Sequence, residues 1–171
     1  MAGNSKIIER SEIRAFPTIK KASEHEFDAE VPEGMSMTAL MGMKTTEAAN
    51  GIYVSAIAAL GSKAERYGSM ASANFAELEP RDAIEAMLIA QMTATYVAMT
   101  VLSERHFGAG SFQVRESYER SVTRLSRTYL AQMDALKKYR AKAQQVVRVE
   151  RVTVEEGGQA IVGNVDGVGG R

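Results

Sequence analysis

Ala86-Met-Leu-Ile-Ala-Gln-Met-Thr-Ala-Thr-Tyr-Val-Ala-Met-Thr-Val-Leu-Ser103 is the stretch that decides the fold, because none of its eighteen residues carries a charge. Pro80 precedes it where the first turn of a helix accepts proline, so we expect a helix to begin near Pro80. Asp82 and Glu85 place negative charge beside the free amides of that turn. The run reaches the lower length limit for a membrane span, but its polar side chains and flanking charges favour a central helix covered on nearly all sides by protein.

A second long helical run follows the break at Gly108-Ala-Gly110 and extends from about Phe112 to Lys142. Its large apolar side chains follow a heptad pattern, in which Gln132 occupies the missing core position. These seam residues are Tyr118, Val122, Leu125, Tyr129, Leu136 and Tyr139. Because the connection is short, the two helices must run in opposite directions, which predicts an antiparallel helical hairpin over 80–143. Gln132 either fixes the register of the seam or turns outward.

Charge is unevenly distributed, although 21 basic residues balance 21 acidic ones. Segment 112–142 carries eight Lys and Arg against three Asp and Glu. One interpretation is a phosphate-contacting ridge, which makes DNA a candidate partner. The other is a solvated face, with cations near the negative end of the helix. The candidate nucleic-acid contacts are Arg120, Arg124, Arg127, Lys137, Lys138 and Arg140.

Two shorter helices are predicted at the start of a helical domain that spans 44–143. The first runs from Thr45 to Gly61 and the second from Ser62 to about Leu78. One side of the first helix is expected to carry Ala48, Ile52, Ser55, Ala56 and Ala59. The pair invites comparison with a DNA-reading helix-turn-helix, but the second helix has only two basic residues, so a packing role is favoured.

Residues 1–43 are expected to form a loosely ordered N-terminal segment, since Pro17 and Pro32 interrupt it. Acidic residues alternate with other types over 24–31, which fits either an extended linker or an edge strand. Four of the ten methionines lie within 35–43. They favour an adaptable apolar patch over a Cu(I) site, because no Cys or nearby His pair accompanies them.

Residues 144–165 predict a β-hairpin, because valine-rich segments with a period of two flank the turn Glu155-Glu-Gly-Gly158. Its first strand either carries a bulge near Glu150 or buries parts of both faces. An isolated hairpin is marginal in water, so we expect its strands to mediate oligomerisation. The candidate oligomerisation residues are Val147, Val149, Val152, Val154, Ile161 and Val162. The glycine-rich tail 166–171 is expected to be disordered.

Catalytic and metal-binding chemistry is sparse. The chain has no cysteine and only two histidines, His25 and His106, neither of which lies in a catalytic or ligand motif. We therefore expect a protein that is not an enzyme and has no cofactor, metal site or identifiable small-molecule substrate. The N-terminus lacks the apolar run of a secretory signal, which favours a cytoplasmic protein that does not enter a membrane.

Two segments resemble a known group of sequences. Segment 79–92 and segment 144–165, with its distinctive Gly157-Gly-Gln-Ala-Ile-Val-Gly163, look like short uncharacterised alphaproteobacterial proteins of prophage or mobile-element type. The resemblance implies a biological setting and no activity. Such relatives often have histidines in the first strand of the hairpin, whereas this chain has Arg148 and Arg151 there, so a metal site is not implied.

The fold class expected from these patterns is mainly α, with an antiparallel helical hairpin or bundle and a C-terminal β-hairpin. The leading functional hypothesis is a non-enzymatic, self-associating helical protein, because the uncharged helix and the valine-rich strands both need cover. The alternative is a nucleic-acid-binding accessory protein that is similar in layout to a small terminase subunit.

Overall fold

The computed structural model of the chain describes residues 14–23 and 26–143. Within these residues two short strands are followed by five α-helices, with one 3-10 turn at Gly61–Lys63, so the mainly helical prediction is confirmed. In chain order the elements are β1 (Thr18–Lys21), β2 (Phe27–Glu30), α1 (Met37–Leu40), α2 (Thr46–Ala58), α3 (Ala64–Leu78), α4 (Ala83–Phe107) and α5 (Phe112–Ala143). The predicted hairpin 144–165, its six candidate oligomerisation residues and the tail 166–171 lie outside the described residues.

Helices α4 and α5 form an antiparallel pair. Contacts join the start of α4 to the end of α5 and the end of α4 to the start of α5, as in Asp82 with Tyr139 and His106 with Arg115. Helix α4 begins at Ala83, three residues after Pro80, because the Asp82 side chain accepts a hydrogen bond from the backbone N–H of Glu85 and caps the helix.

The seam of α5 faces α4. Its members are buried or half-buried, and the rings of Tyr96 and Tyr129 lie 6.3 Å apart between the helices. Leu136 is buried, with 6% of its surface exposed, whereas Leu125 is half-buried. Gln132 is also half-buried, and its Oε1 atom is buried without a hydrogen-bond partner among the described residues. Gln132 therefore occupies the seam and does not turn fully outward.

Helices α2 and α3 pack against a different side of α4. The Tyr53 hydroxyl and Ser72 Oγ form a buried 2.6 Å hydrogen bond, and Asn74 on α3 donates to Thr93 on α4. Of the five residues predicted to share one side of α2, only Ala56 is buried. The side that packs carries Ala49, Tyr53, Ala56 and Ile57. Apolar residues lie all around α2, so its periodicity does not define one side.

The N-terminal segment, expected to be loosely ordered, contains defined structure in its described part. Strands β1 and β2 pair antiparallel, which fits the strand interpretation of the acidic stretch. Ile19 packs on Gly68 of α3 so closely that a Cβ at position 68 would lie 2.8 Å from it. Met41 is fully buried in the core. Gly42 has φ +63° and lies against the carbonyl of Pro80, where no larger residue fits.

Candidate interaction surfaces

A buried ion-pair cluster joins the end of α5 to the start of α4. Glu85 is only 1% exposed, and its Oε1 accepts hydrogen bonds from Arg81 Nε and Nη2 at 2.9 and 2.7 Å. Its Oε2 accepts from Arg140 Nε and Nη2 at 3.2 and 3.0 Å. Arg140 also donates to the carbonyl oxygens of Leu78 and Glu79. One carboxylate thus holds two arginines, and one of these arginines holds the end of α3.

The charges in this cluster stabilise one another. Burial raises the pKa of the Glu85 carboxyl, but hydrogen bonds from Arg81 and Arg140 outweigh burial and hold that pKa below its ordinary value. The hydrogen bond to Glu85 raises the pKa of Arg81. The Tyr139 hydroxyl donates to Asp82 at 3.0 Å, and this bond raises the pKa of Tyr139. All these groups have partners, so the arrangement fixes helices and offers no free acid, base or nucleophile.

A groove of about 810 Å³ lies beside the cluster. Met35, Leu40 and Phe75 contribute apolar surface to it. Its arginines are already engaged, since Arg14 pairs with Glu79 while Arg81 and Arg140 pair with Glu85. The groove therefore has little free positive charge with which to bind an anion.

The basic residues of α5 do not all share one surface. Arg120, Arg124, Arg127 and Lys138 lie on the exposed side opposite the seam, as their spacing predicts, and Lys137 is also exposed. Arg120 lies 3.7 Å from Glu116, and Lys138 lies 2.7 Å from Asp134. Arg124 and Arg127 form no ion pair with any described residue.

Arg140 differs from the other candidate nucleic-acid contacts, because its side chain is engaged inside the protein. Its side chain is only 32% exposed and is committed to Glu85 and two backbone carbonyls. Sequence periodicity placed Arg140 in a basic last turn, but the buried Glu85 lies across the hairpin and attracts it there. From the sequence, Glu85 was expected to place negative charge beside the free amides of the first turn of α4, and its two arginine partners were not expected.

Helix α4 is not covered on nearly all sides within the described chain, contrary to expectation. Ile84, Met87, Gln91, Ala98 and Leu102 lie on one side, at spacings of three, four, seven and four residues. The first three are exposed and the other two are half-buried. We call these five residues the outer face of α4; it has no charged member.

Two further features of the described residues bear on function. Helix α4 is the one described helix that is long and apolar enough to cross a membrane, by length and composition alone. Across residues 14–23 and 26–143, no group of three or more His, Cys, Asp or Glu side chains is placed to hold a metal ion.

Comparison of the chain with protein-family models, with curated proteins and with solved structures finds no match in any of the three.

Proposed function

We propose that this protein is a non-enzymatic, self-associating helical protein whose α4 outer face is covered by a second copy of the chain. The observation that carries the proposal is the uncharged outer face of α4, on which Ile84, Met87 and Gln91 are exposed. Exposed apolar side chains grouped on one side of a helix, such as Ile84 and Met87, are typical of interaction sites. The phage or mobile-element origin that we propose for the protein rests on the sequence resemblance alone.

The outer face by itself gives a weak association. Ile84 and Met87 are 46% and 41% exposed, so covering either one completes only about half of the ~1.5–3 kcal/mol that full burial of such a side chain provides. Association costs roughly 4–15 kcal/mol in lost freedom of motion. A stable assembly therefore needs a second contact in addition to this face.

Static light scattering of the full chain during size exclusion tests the proposal. We expect more than one subunit per particle at micromolar concentration. Met87→Glu should lower the subunit number, because the assembly would bury an uncompensated carboxylate. Arg124→Glu, which places a carboxylate on the opposite exposed side of α5, is the matched control and should leave the assembly intact. A full-length chain that elutes as a monomer at high micromolar concentration contradicts the proposal.

A second candidate function is nucleic-acid binding through the exposed basic side of α5. The observation in its favour is that Arg124 and Arg127 are exposed without an ion pair among the described residues. Arginines in this state are available to bind phosphate oxygens.

A gel-shift series with mixed-sequence DNA in rising salt tests this candidate, since phosphate binding weakens steeply as counterions compete. Changing Arg120, Arg124 and Arg127 together to Gln should lower the affinity and make its salt dependence shallower. Equal affinity before and after the change would assign these arginines to a solvated face.

A further inference from the structure

Strand β2 has a free edge. Ala22 donates from its backbone N–H to the carbonyl oxygen of Glu26, and hydrogen-bonded pairs alternate along an antiparallel ladder. Counting from that pair, the Lys20–Asp28 pair is hydrogen-bonded and the Ile19–Ala29 pair is not. The backbone N–H of Ile19 accordingly points away from β2 and donates to Ser69 Oγ at 3.0 Å.

The same alternation fixes what β2 presents outward. The backbone N–H and C=O groups of Phe27 and Ala29 point away from β1, and they have no hydrogen-bond partner among the described residues. Unpaired groups in a row on an edge strand are a template for a further strand. Strand β1 is covered by α3, on which Ile19 packs, so the edge of β2 is the side of the sheet that remains open within the described residues.

A groove of about 680 Å³, lined by apolar and polar side chains, lies against the face of the sheet that carries Ile19, Lys21, Phe27 and Ala29. Phe27 and Ala29 border it on the strand side, and Tyr53, Val54 and Ile57 of α2 line it on the other. Val54 is 62% exposed and therefore offers apolar surface to an added strand. A strand added to β2 would place alternate side chains over this groove.

The opposite face of the sheet is charged. Asp28 and Glu30 share that face of β2, opposite the face that carries Phe27 and Ala29. Lys20 of β1 lies on the same face and pairs with Glu30, whereas Asp28 has no ion pair among the described residues. An incoming strand that fits both faces has apolar residues flanking a basic one. Val147-Arg148-Val149 has this pattern: its valines would lie over the groove and Arg148 beside the acidic residues.

The geometry favours a segment from a second copy over the chain's own. Helices α3 and α5 run in the same direction, since each is antiparallel to α4. Arg140 contacts the carbonyl of Leu78, so α5 ends level with the end of α3. Ser69, beside β1, lies nine residues before Leu78, or about 13 Å back along the helix axis.

The connection available within one chain is too short for that path. Val147 follows Ala143, the last described residue of α5, by four residues, which span at most about 14 Å when fully extended. The chain would have to reverse direction, run back along α3 for the distance from Leu78 to Ser69, and also cross the width of the sheet. A second copy is free of this restriction.

We propose that residues 147–149 of one copy add as a third strand to the β2 edge of another copy, with the valines in the α2 groove and Arg148 beside Asp28. The inference rests on the proposed self-association and supplies the second contact that the outer face of α4 requires.

The first test blocks the edge. Ala29→Pro removes the outward N–H while leaving the hydrogen-bonded pairs at Asp28 and Glu30, so β1 and β2 can still pair. Light scattering should show fewer subunits per particle for Ala29→Pro than for the unaltered protein. A chain truncated after Gln145, which lacks the added strand, should show the same reduced number. Ala29→Val keeps the N–H and should assemble as the unaltered protein does.

The second test uses the absence of native cysteines. Asp28→Cys and Arg148→Cys chains are mixed and oxidised, and disulfide-linked peptides are identified by mass spectrometry. We expect a 28–148 disulfide, which in this mixture forms only between copies. Val149→Cys in place of Arg148→Cys is the control. It should crosslink poorly to Asp28→Cys, because successive side chains of a strand point to opposite faces of the sheet.

The outcomes separate this inference from the proposed function. If the assembly persists in Ala29→Pro and no 28–148 disulfide forms, the strand addition is wrong while self-association stands. A disulfide that forms only within a single chain carrying both cysteines would show that the chain covers its own edge, which also overturns the inference. A monomeric full-length protein overturns both proposals.

Discussion

Glu85 and Arg140 are 55 residues apart in the sequence, yet Arg140 Nη2 lies 3.0 Å from Glu85 Oε2 and closes the open end of the α4–α5 hairpin. The same guanidinium reaches the last turn of α3 through Leu78. One side chain therefore holds three helices together at the end of the molecule where no loop joins α5 to them.

Replacing Arg140 should destabilise the fold. Arg140→Ala removes two hydrogen bonds to a buried carboxylate, but Arg81 remains to neutralise it, so we expect a loss of about 2 kcal/mol in the free energy of unfolding. Urea denaturation measures this loss. Lys138→Ala, which breaks an exposed pair with Asp134, is the control and should cost less than about 0.5 kcal/mol. Equal effects of the two substitutions would show that the cluster does not hold the helices.

Stability should fall in acid partly because of Glu85. Its folded-state pKa lies below its ordinary value of 4.5, so the folded protein binds this proton less readily than the unfolded chain does. This contribution is present above pH 4.5 and is lost as the pH falls through the folded pKa. The urea midpoint of Glu85→Gln should therefore depend less on pH below 4.5 than that of the unaltered protein. Glu77→Gln changes an exposed carboxyl on α3 and serves as the control.

Three leucines of α5 should rank by burial. Leu136→Ala, at a buried seam position, should cost about 2–5 kcal/mol in the free energy of unfolding. Leu125→Ala should cost less, because this residue is only half-buried. Leu130 is 64% exposed, so Leu130→Ala should stay within about 0.5 kcal/mol. A reversed order in chemical denaturation would show that the seam has another phase.

Two helical glycines should respond to alanine with opposite signs. Gly68→Ala places a Cβ against Ile19 and should destabilise the protein by about 1–3 kcal/mol, since β1 must move off α3. Gly51→Ala on α2 meets no atom within 4 Å and should stabilise it by about 0.5–1 kcal/mol through helix propensity. Thermal melts of the two variants measure both effects. Stabilisation by Gly68→Ala would contradict the close packing of β1 on α3.

The helical pair could be predicted from the sequence because its signals are local. The uncharged run from Ala86 to Ser103 and the heptad spacing from Tyr118 to Tyr139 each define a helix and, for α5, the side that packs. The exposed side with Arg120, Arg124 and Arg127 follows from the same spacing. The candidate role of Val147 and Val149 remains a prediction.

The remaining features depend on how the elements are placed relative to one another. Periodicity shows which residues share a side of a helix but not which sides pack against other elements. The exposure of Ile84, Met87 and Gln91 among the described residues was therefore apparent only from the tertiary structure. Arg140 has the composition of a surface cation, and only the position of Glu85 across the hairpin draws it inward. The N-terminal strands depend on the space at Gly68, into which Ile19 packs. Sequence determined the four longer helices and the charged side of α5, whereas tertiary structure decided which sides meet. Ion pairing and packing between distant residues leave no periodic pattern in the chain.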